Sequence, residues 1–288
     1  MKKSQQDKVI RIFPEPHEPL PLYGLYLNHE IAVKQQRQSP FVYANYVVSM
    51  DGRIALTHPK TGEKKIPEAI ANKSDWRLYQ ELAAQADVLV SSGRYMRDMA
   101  DTDSQEALPV SENGQFADLL DWRQSHGLSR QPAVAVVTSS LDLPWQKICQ
   151  KLDRPVYAVT TGRVSNEDSA KLISLGINII HAGNSDRVEG KKLVNGLREH
   201  GFFNIYVIAG PKVLGTLIAS NTLDRLYLTQ VHKLVGGRQY DTFLETSYLE
   251  NPVELKLRCL YRNVSTDRAI EQSFAVFDVC KQDVQKNR

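Results

Sequence analysis

One periodicity constrains this fold more than any other feature. From Phe41 onward, short runs rich in Val, Ile and Leu alternate with stretches whose apolar residues recur at helical spacing. The runs are Phe41–Ser49, Asp87–Ser91, Ala133–Thr138, Val156–Thr160, Ile177–His181, Asn204–Ala209 and Arg225–Val231. They are continuously apolar rather than alternating, as expected of strands covered on both faces. Strand–helix alternation implies a parallel sheet with right-handed crossovers. The expected class is therefore α/β, three-layered, with a mostly parallel central sheet.

The intervening helices can be placed. Ser74 is the expected N-cap of one carrying Trp76, Tyr79, Leu82, Ala83 and Ala86 on a single face. Others fit Phe116–Gln124, Glu167–Ser174, Lys191–His200 and Lys212–Ala219, the last two stopping near Gly201 and Asn221. The alternation breaks at the end of the chain. Val253–Tyr261 and Ala269–Cys280 are long β-rich runs that read as an antiparallel hairpin on the sheet edge.

Residues 1–40 are different. Pro14, Pro16, Pro19, Pro21 and Pro40 forbid a regular helix and favour an extended arm, leaving residues 41–288 as the α/β domain. The arm is expected to hug the surface; the alternative is an arm that clasps a second copy or closes a pocket.

Composition narrows the function. A net charge of +3, with both signs interspersed, argues against a nucleic-acid partner. No run approaches the ~20 apolar residues of a membrane span, and the start of the chain lacks a secretory apolar segment. Cys149, Cys259 and Cys280 are scattered and odd in number, with no paired Cys or His motif. That suits reduced thiols in the cytoplasm and no metal.

Open α/β sheets bind ligands beyond the carboxyl ends of their strands. Those ends here read Ser49-Met50-Asp51-Gly52-Arg53, Ser91-Ser92-Gly93-Arg94, Thr138-Ser139-Ser140, Thr160-Thr161-Gly162-Arg163 and Gly210-Pro211-Lys212. Small residues, hydroxyls and guanidinium groups at one rim suit a phosphorylated ligand. No G-x-G-x-x-G fingerprint and no phosphate loop occurs, which disfavours a standard Rossmann dehydrogenase or a P-loop NTPase. Asp51 is a candidate to protonate or orient a substrate ring nitrogen, a task helped by a raised pKa. The alternative is a plain Asp-Gly turn. Arg94 and Arg163 are phosphate clamps or surface residues, and Ser139 and Ser140 bind phosphate or cap a helix. Lys212 at a helix start opposes the dipole and hints at an anion nearby. Tyr43 and Tyr46 read as core.

The stretch Phe41–Ala55 resembles the opening strand and S-x-D-G-x-I-A motif of the riboflavin-biosynthesis reductase family, in the dihydrofolate reductase-like superfamily. Ala86–Arg94 resembles the superfamily's second strand and glycine-arginine turn. Asn204–Leu214 resembles its glycine-proline turn, and Leu223–Thr229 with Gly236-Gly237 a late strand and loop. The resemblance runs from about Phe41 to Lys281. It implies NADPH-dependent reduction of a small pyrimidine- or pterin-like metabolite, similar to 5-amino-6-(5-phosphoribosylamino)uracil reductase. Ser49 and Asp51 would then be catalytic, with Gly52 beside the nicotinamide. Gly93 and Arg94 would hold phosphate, Ser139 and Ser140 the adenosine 2′-phosphate, Thr161 the adenine edge, and Gly210 and Pro211 the pyrophosphate. Arg94, Arg97 and Arg163 would favour NADPH over NADH, because a 2′-phosphate adds negative charge.

Three departures stand out. Ile208-Ala209-Gly210 replaces the family's Glu-Gly-Gly, so a strained glycine turn would be altered. Arg225 replaces a glutamate, and the deaminase half fused to many members is absent. A degenerate dinucleotide-binding protein without turnover is the second reading, and a structural oligomerisation protein the third. A homodimer is expected, since long bare hairpin edges invite aggregation.

Overall fold

The computed structural model describes residues 7–31, 38–101, 109–110, 112, 114–162, 164–184, 187–264 and 270–281. Strands β1 (Lys8–Phe13) and β2 (Pro19–Pro21) open the chain, followed by β3 (Phe41–Ser49), β4 (Ala55–Thr57) and β5 (Lys64–Lys65). Helix and strand then alternate: α1 (Lys73–Ala84), β6 (Val88–Ser92), α2 (Gly93–Asp101), α3 (Ala117–Ser125), β7 (Ala133–Val137), α4 (Trp145–Lys151), β8 (Val156–Thr160) and α5 (Asn166–Ser174). The remainder is β9 (Asn178–His181), α6 (Gly190–Glu199), β10 (Asn204–Val207), α7 (Pro211–Ala219), β11 (Arg225–Val231), β12 (Tyr240–Asp241), β13 (Leu255–Asn263) and β14 (Gln272–Val279).

Eleven strands form one sheet in the order β2-β1-β13-β14-β11-β3-β10-β6-β7-β8-β9, while β12, β4 and β5 form a small separate one. The seven strands from β11 to β9 run parallel. β14, β13, β1 and β2 add on antiparallel. Residues of β3 alternate between faces. Val42, Ala44 and Tyr46 pack against α6 and α7, and Tyr43 packs against α1 and α3. Helices α2, α4 and α5 continue the second layer over β7 and β8. All seven predicted core runs are strands, and the three-layer class is as expected.

Local chemistry shifts some boundaries. The cap of α1 is Asn72, whose side chain accepts the Asp75 N–H at 2.9 Å; Ser74 lies inside the helix. At the other end Arg123, buried in α3, donates to the carbonyls of Ala84 (2.9 Å) and Ala86 (2.8 Å), which the helix itself leaves open. Helix α2 opens on Gly93, and α4, seven residues long, is capped by neither Ser139 nor Ser140 but follows Pro144.

The arm is the largest difference from expectation. It is extended, but it is part of the core: Leu22, Tyr26 and Ile31 are almost fully buried. Glu81, on α1, accepts the N–H groups of Gly24 (2.6 Å) and Tyr26 (2.9 Å) and pairs with Arg77 (2.8 Å). Gln85, one turn on, accepts the Ile31 N–H (2.9 Å) and donates to the Tyr26 carbonyl (2.8 Å). Thus anchored, β1 pairs with Leu260–Asn263 of β13 and covers that part of the hairpin's outer edge. The new edge is β2, whose Pro19 and Pro21 have no N–H to offer. The bare edge behind the homodimer expectation is thereby shortened to Leu255–Cys259 of β13.

Replacing Glu81 by alanine strips the acceptor from two backbone donors and leaves Arg77 partly unpaired. The expected loss of unfolding free energy is about 3–5 kcal/mol by urea titration, with Glu81→Gln less affected. A midpoint matching wild type would mean that the arm is not held this way.

Candidate active site

Parallel strands bring every strand end of interest to one rim. In sheet order the rim carries Asp51 after β3, Gly210 after β10, Gly93 after β6, Ser139 after β7 and Thr161 after β8. The chain skips one slot between β3 and β6, builds outward to β9, and returns with β10 into the gap. That reversal is where open sheets form a ligand crevice.

Along this rim lies a cleft of about 970 Å³. Its floor is apolar (Val137, Val188, Val213, Ala219), and Ser139 and Thr161 line it. Three cations, Arg187, Lys191 and Lys212, face it from the starts of α6 and α7. Neither helix has a side-chain N-cap. Lys212 pairs with Glu245 (3.5 Å) and Glu189 with Lys192 (2.7 Å), so among the described residues Arg187 and Lys191 remain without an ion-pair partner. A Cβ on Gly190 would meet the Ser220 hydroxyl at 2.0 Å, so glycine lets α6 begin directly against the end of α7. Open helix N-termini, unneutralised cations and an apolar floor fit a phosphorylated nucleotide.

The other predicted residues separate into two groups. Gly210 and Pro211 start α7 beside the cleft. Gly210 has φ −68°, and Ala209 is not among the residues with positive φ, so no glycine-only turn exists for the alanine to disturb. Ala209 is buried, and its carbonyl accepts the Tyr46 hydroxyl at 2.9 Å. Arg94 is exposed on the first turn of α2, and Arg97 donates to the Asp142 carbonyl at 3.2 Å. Arg163 lies outside the described residues. Gly93 has a packing reason: a Cβ there would sit 3.0 Å from the Thr138 hydroxyl. Ser140 accepts the Asp142 N–H at 3.1 Å, a turn-forming bond. Arg225 binds Asp278 at 2.7 Å across the β11–β14 ladder, which accounts for the basic residue there.

Ser49, Asp51 and Gly52 build a closed turn. Gly52 adopts φ +83°, and its N–H donates to the Ser49 carbonyl at 2.9 Å. The Ser49 hydroxyl donates to Asp51 Oδ1 (2.5 Å) and accepts the Arg53 N–H (3.0 Å). Asp51 also accepts from Gly236 N (2.9 Å) and Val235 N (3.3 Å), with Arg53 3.2 Å away. These donors, the Ser49 hydroxyl first, hold the carboxyl down to about 2, opposite to the raised value that a proton donor would need.

A different carboxyl has that property. Asp75 sits in the first turn of α1, which ends just before β6 begins and so starts at the ligand rim. The Asn72 cap fixes this end by bonding Gln272 (2.8 and 3.0 Å), opposite the last residue of β11. Asp75 Oδ1 is sealed from solvent and burial raises the carboxyl to about 6, against weaker pulls from Thr229 and Asn45. Neither neighbour closes a full hydrogen bond. Asp75 Oδ1, Asn45 Oδ1, Thr229 Oγ1 and the Tyr206 hydroxyl are all buried without a partner. Orphaned buried polar atoms are costly, and four from one helix and three adjacent strands mark a place prepared for polar contact. Sequence periodicity hid Asp75 as an ordinary acidic first-turn residue.

The Asp51 carboxyl titrates below its unfolded value of about 3.9, so its ionised form stabilises the turn above that pH and is lost as pH falls through about 2. The amides of Val235 and Gly236 should therefore be protected from hydrogen exchange at pH 5 to 7, and Asp51→Ala should release them. Equal exchange in both proteins would remove Asp51 as the anchor.

No curated protein matches the sequence significantly. Among solved structures, a pyrimidine reductase-like protein from Corynebacterium diphtheriae is similar with a TM-score of 0.63 at 19% identity, covering 84% of this chain and 93% of that one. RibD from Acinetobacter baumannii gives 0.58 at 16% identity, over 84% of this chain and 58% of its own. The riboflavin biosynthesis reductase Rib7 of Saccharomyces cerevisiae gives 0.54 at 14% identity, over 89% and 99%. At these identities the structures establish the shared fold. The model of the RibD C-terminal domain matches residues 40–266, most of the chain and all seven parallel strands, and the protein belongs to that reductase family.

Proposed function

We propose that the protein is an NADPH-dependent reductase of a small planar heterocycle of the pyrimidine or pterin kind. The cationic, apolar-floored cleft at the sheet rim carries this reading. The phosphates of the dinucleotide would meet Arg187, Lys191 and the open starts of α6 and α7, with Ser139 and Thr161 lining the same cleft. Bound NADPH supplies the hydride. The residues of this chain provide the rest.

In this reading Asp51 and Ser49 position the loop that carries Gly236, and Asp75 holds the proton. A carboxyl near 6 is part-protonated close to neutral pH, which suits a general acid toward a ring nitrogen. The partnerless Asn45, Thr229 and Tyr206 atoms around it suit the polar edge of such a ring. Trp76 and Tyr79, stacked 5.2 Å apart and half-buried, offer it flat apolar surface. Reduced thiols and NADPH chemistry suit a cytoplasmic setting. A homodimer would use the exposed Ile12 and Phe13 of β1 and Leu255 on the part of β13 that β1 leaves unpaired.

Nicotinamide fluorescence titration should show NADPH binding at least ~10-fold tighter than NADH, with Arg187→Ala closing the gap. Turnover is then sought with flavin precursors, dihydrofolate and dihydropterins. Asp75 is raised above its unfolded value, so its proton is lost as pH rises through about 6, and the rate should fall across that range. Asp75→Asn should cut kcat about 10²-fold or more and flatten the profile while NADPH affinity stays the same. Binding without turnover on any such substrate would favour a nucleotide-binding protein. Absence of binding would end the dinucleotide reading.

A further inference from the structure

The cleft has one wall that the rim residues do not provide. After β12 the chain crosses back over α7, and Glu245, Thr246, Ser247, Tyr248 and Leu249 line the opening. The first of these residues are fastened to the helix. A Cβ on Gly215, in mid-helix, would lie 2.2 Å from the Glu245 carbonyl and 3.1 Å from Thr246 Cβ. Glycine inside a helix is unfavourable, and here it lets the segment lie directly on α7. The Glu245 N–H donates to the Pro211 carbonyl at 3.3 Å, and the Glu245 carboxylate pairs with Lys212 at 3.5 Å.

The far part of the segment behaves differently. Tyr248 is 91% exposed, more than any other large apolar or aromatic side chain described. A tyrosine held out from an anchored segment, at the mouth of an apolar-floored cleft, leaves a whole ring face unused. The same cleft is lined by Arg187, Lys191 and Lys212, so one ligand can meet both the cations and the ring.

We propose that Tyr248 is the stacking platform for the purine of the bound dinucleotide, and that residues 245–249 form a wall of the nucleotide cleft. The inference rests on the dinucleotide reading above and adds to it a residue outside the rim. Stacking on an aromatic ring is sequence-tolerant and of moderate strength, because every base offers a π-face. Being exposed, Tyr248 can be changed without disturbing the core.

The test uses the intact protein with NADPH and with adenosine 2′,5′-bisphosphate, which keeps the purine and lacks the nicotinamide. By calorimetry, Tyr248→Ala should weaken both about 5- to 30-fold, and Tyr248→Phe should bind like wild type. In NMR spectra the adenine H2 or H8 resonance should move upfield on binding to wild type and Tyr248→Phe, and lose that displacement in Tyr248→Ala. If wild type binds both ligands and Tyr248→Ala binds them equally well with the same adenine shift, the platform is overturned and the dinucleotide reading survives. If wild type binds neither, both fall together.

Discussion

The candidate site depends on β10 finding its place between β3 and β6, and a buried aspartate secures it. Asp87, the residue before β6, accepts the N–H groups of Phe203 and Asn204 on one carboxylate oxygen, both at 2.9 Å. Its own N–H donates to the Asn204 carbonyl (2.9 Å) and its carbonyl accepts the Ala133 N–H (3.0 Å), so β6, β7 and β10 share one starting point. Asp224 does the same for β3 and β11, accepting the Val42 N–H at 2.7 Å and donating to the Val42 carbonyl at 2.8 Å. Hydrogen bonds to a charged acceptor contribute about 1.5–3 kcal/mol each, more than a neutral ladder bond. Register is thereby fixed at the amino ends of the strands, and the carboxyl ends are left free to differ.

That division explains why the rim is chemically varied while the sheet is uniform. Along one edge the chain places a closed Ser49–Arg53 turn, two uncapped helix starts and a cationic cleft. On the α1 side, one layer below, it buries a carboxyl among unpartnered polar atoms. Asp51 and Asp75 have opposite electrostatics. Asp51 is surrounded by donors and stays ionised; at Asp75 burial outweighs the hydrogen-bond pull of Thr229 and Asn45 and pushes the carboxyl toward neutrality.

Much of this was legible in the sequence, for identifiable reasons. Strands covered on both faces need continuous apolar runs, so Ala133–Val137 and Val156–Thr160 announce themselves. The rim followed from strand direction alone. The motif Ser49-Met50-Asp51-Gly52 pointed to the right family, but its role as a self-satisfied turn required distances. The glycine-arginine turn marked a helix start at Gly93, but the length of α2 depends on Met96 and Met99 packing against β7 and α4. The arm escaped as core because its partners, Glu81 and Gln85, lie more than fifty residues away.

The sequence by itself determined the layers, the strand direction and hence the rim on which the candidate site residues gather, because periodicity and turn chemistry are local properties. It also carried the family in a few short motifs. Tertiary structure alone decided which carboxyl keeps a proton, which cations share a cleft, and which strand covers the hairpin edge. Those outcomes depend on burial and on neighbours distant along the chain: Asp75 beside Thr229, Arg187 and Ser139 lining one cleft, Lys8–Phe13 along β13. A side chain's desolvation and its partners are set by folding, and no local pattern encodes them.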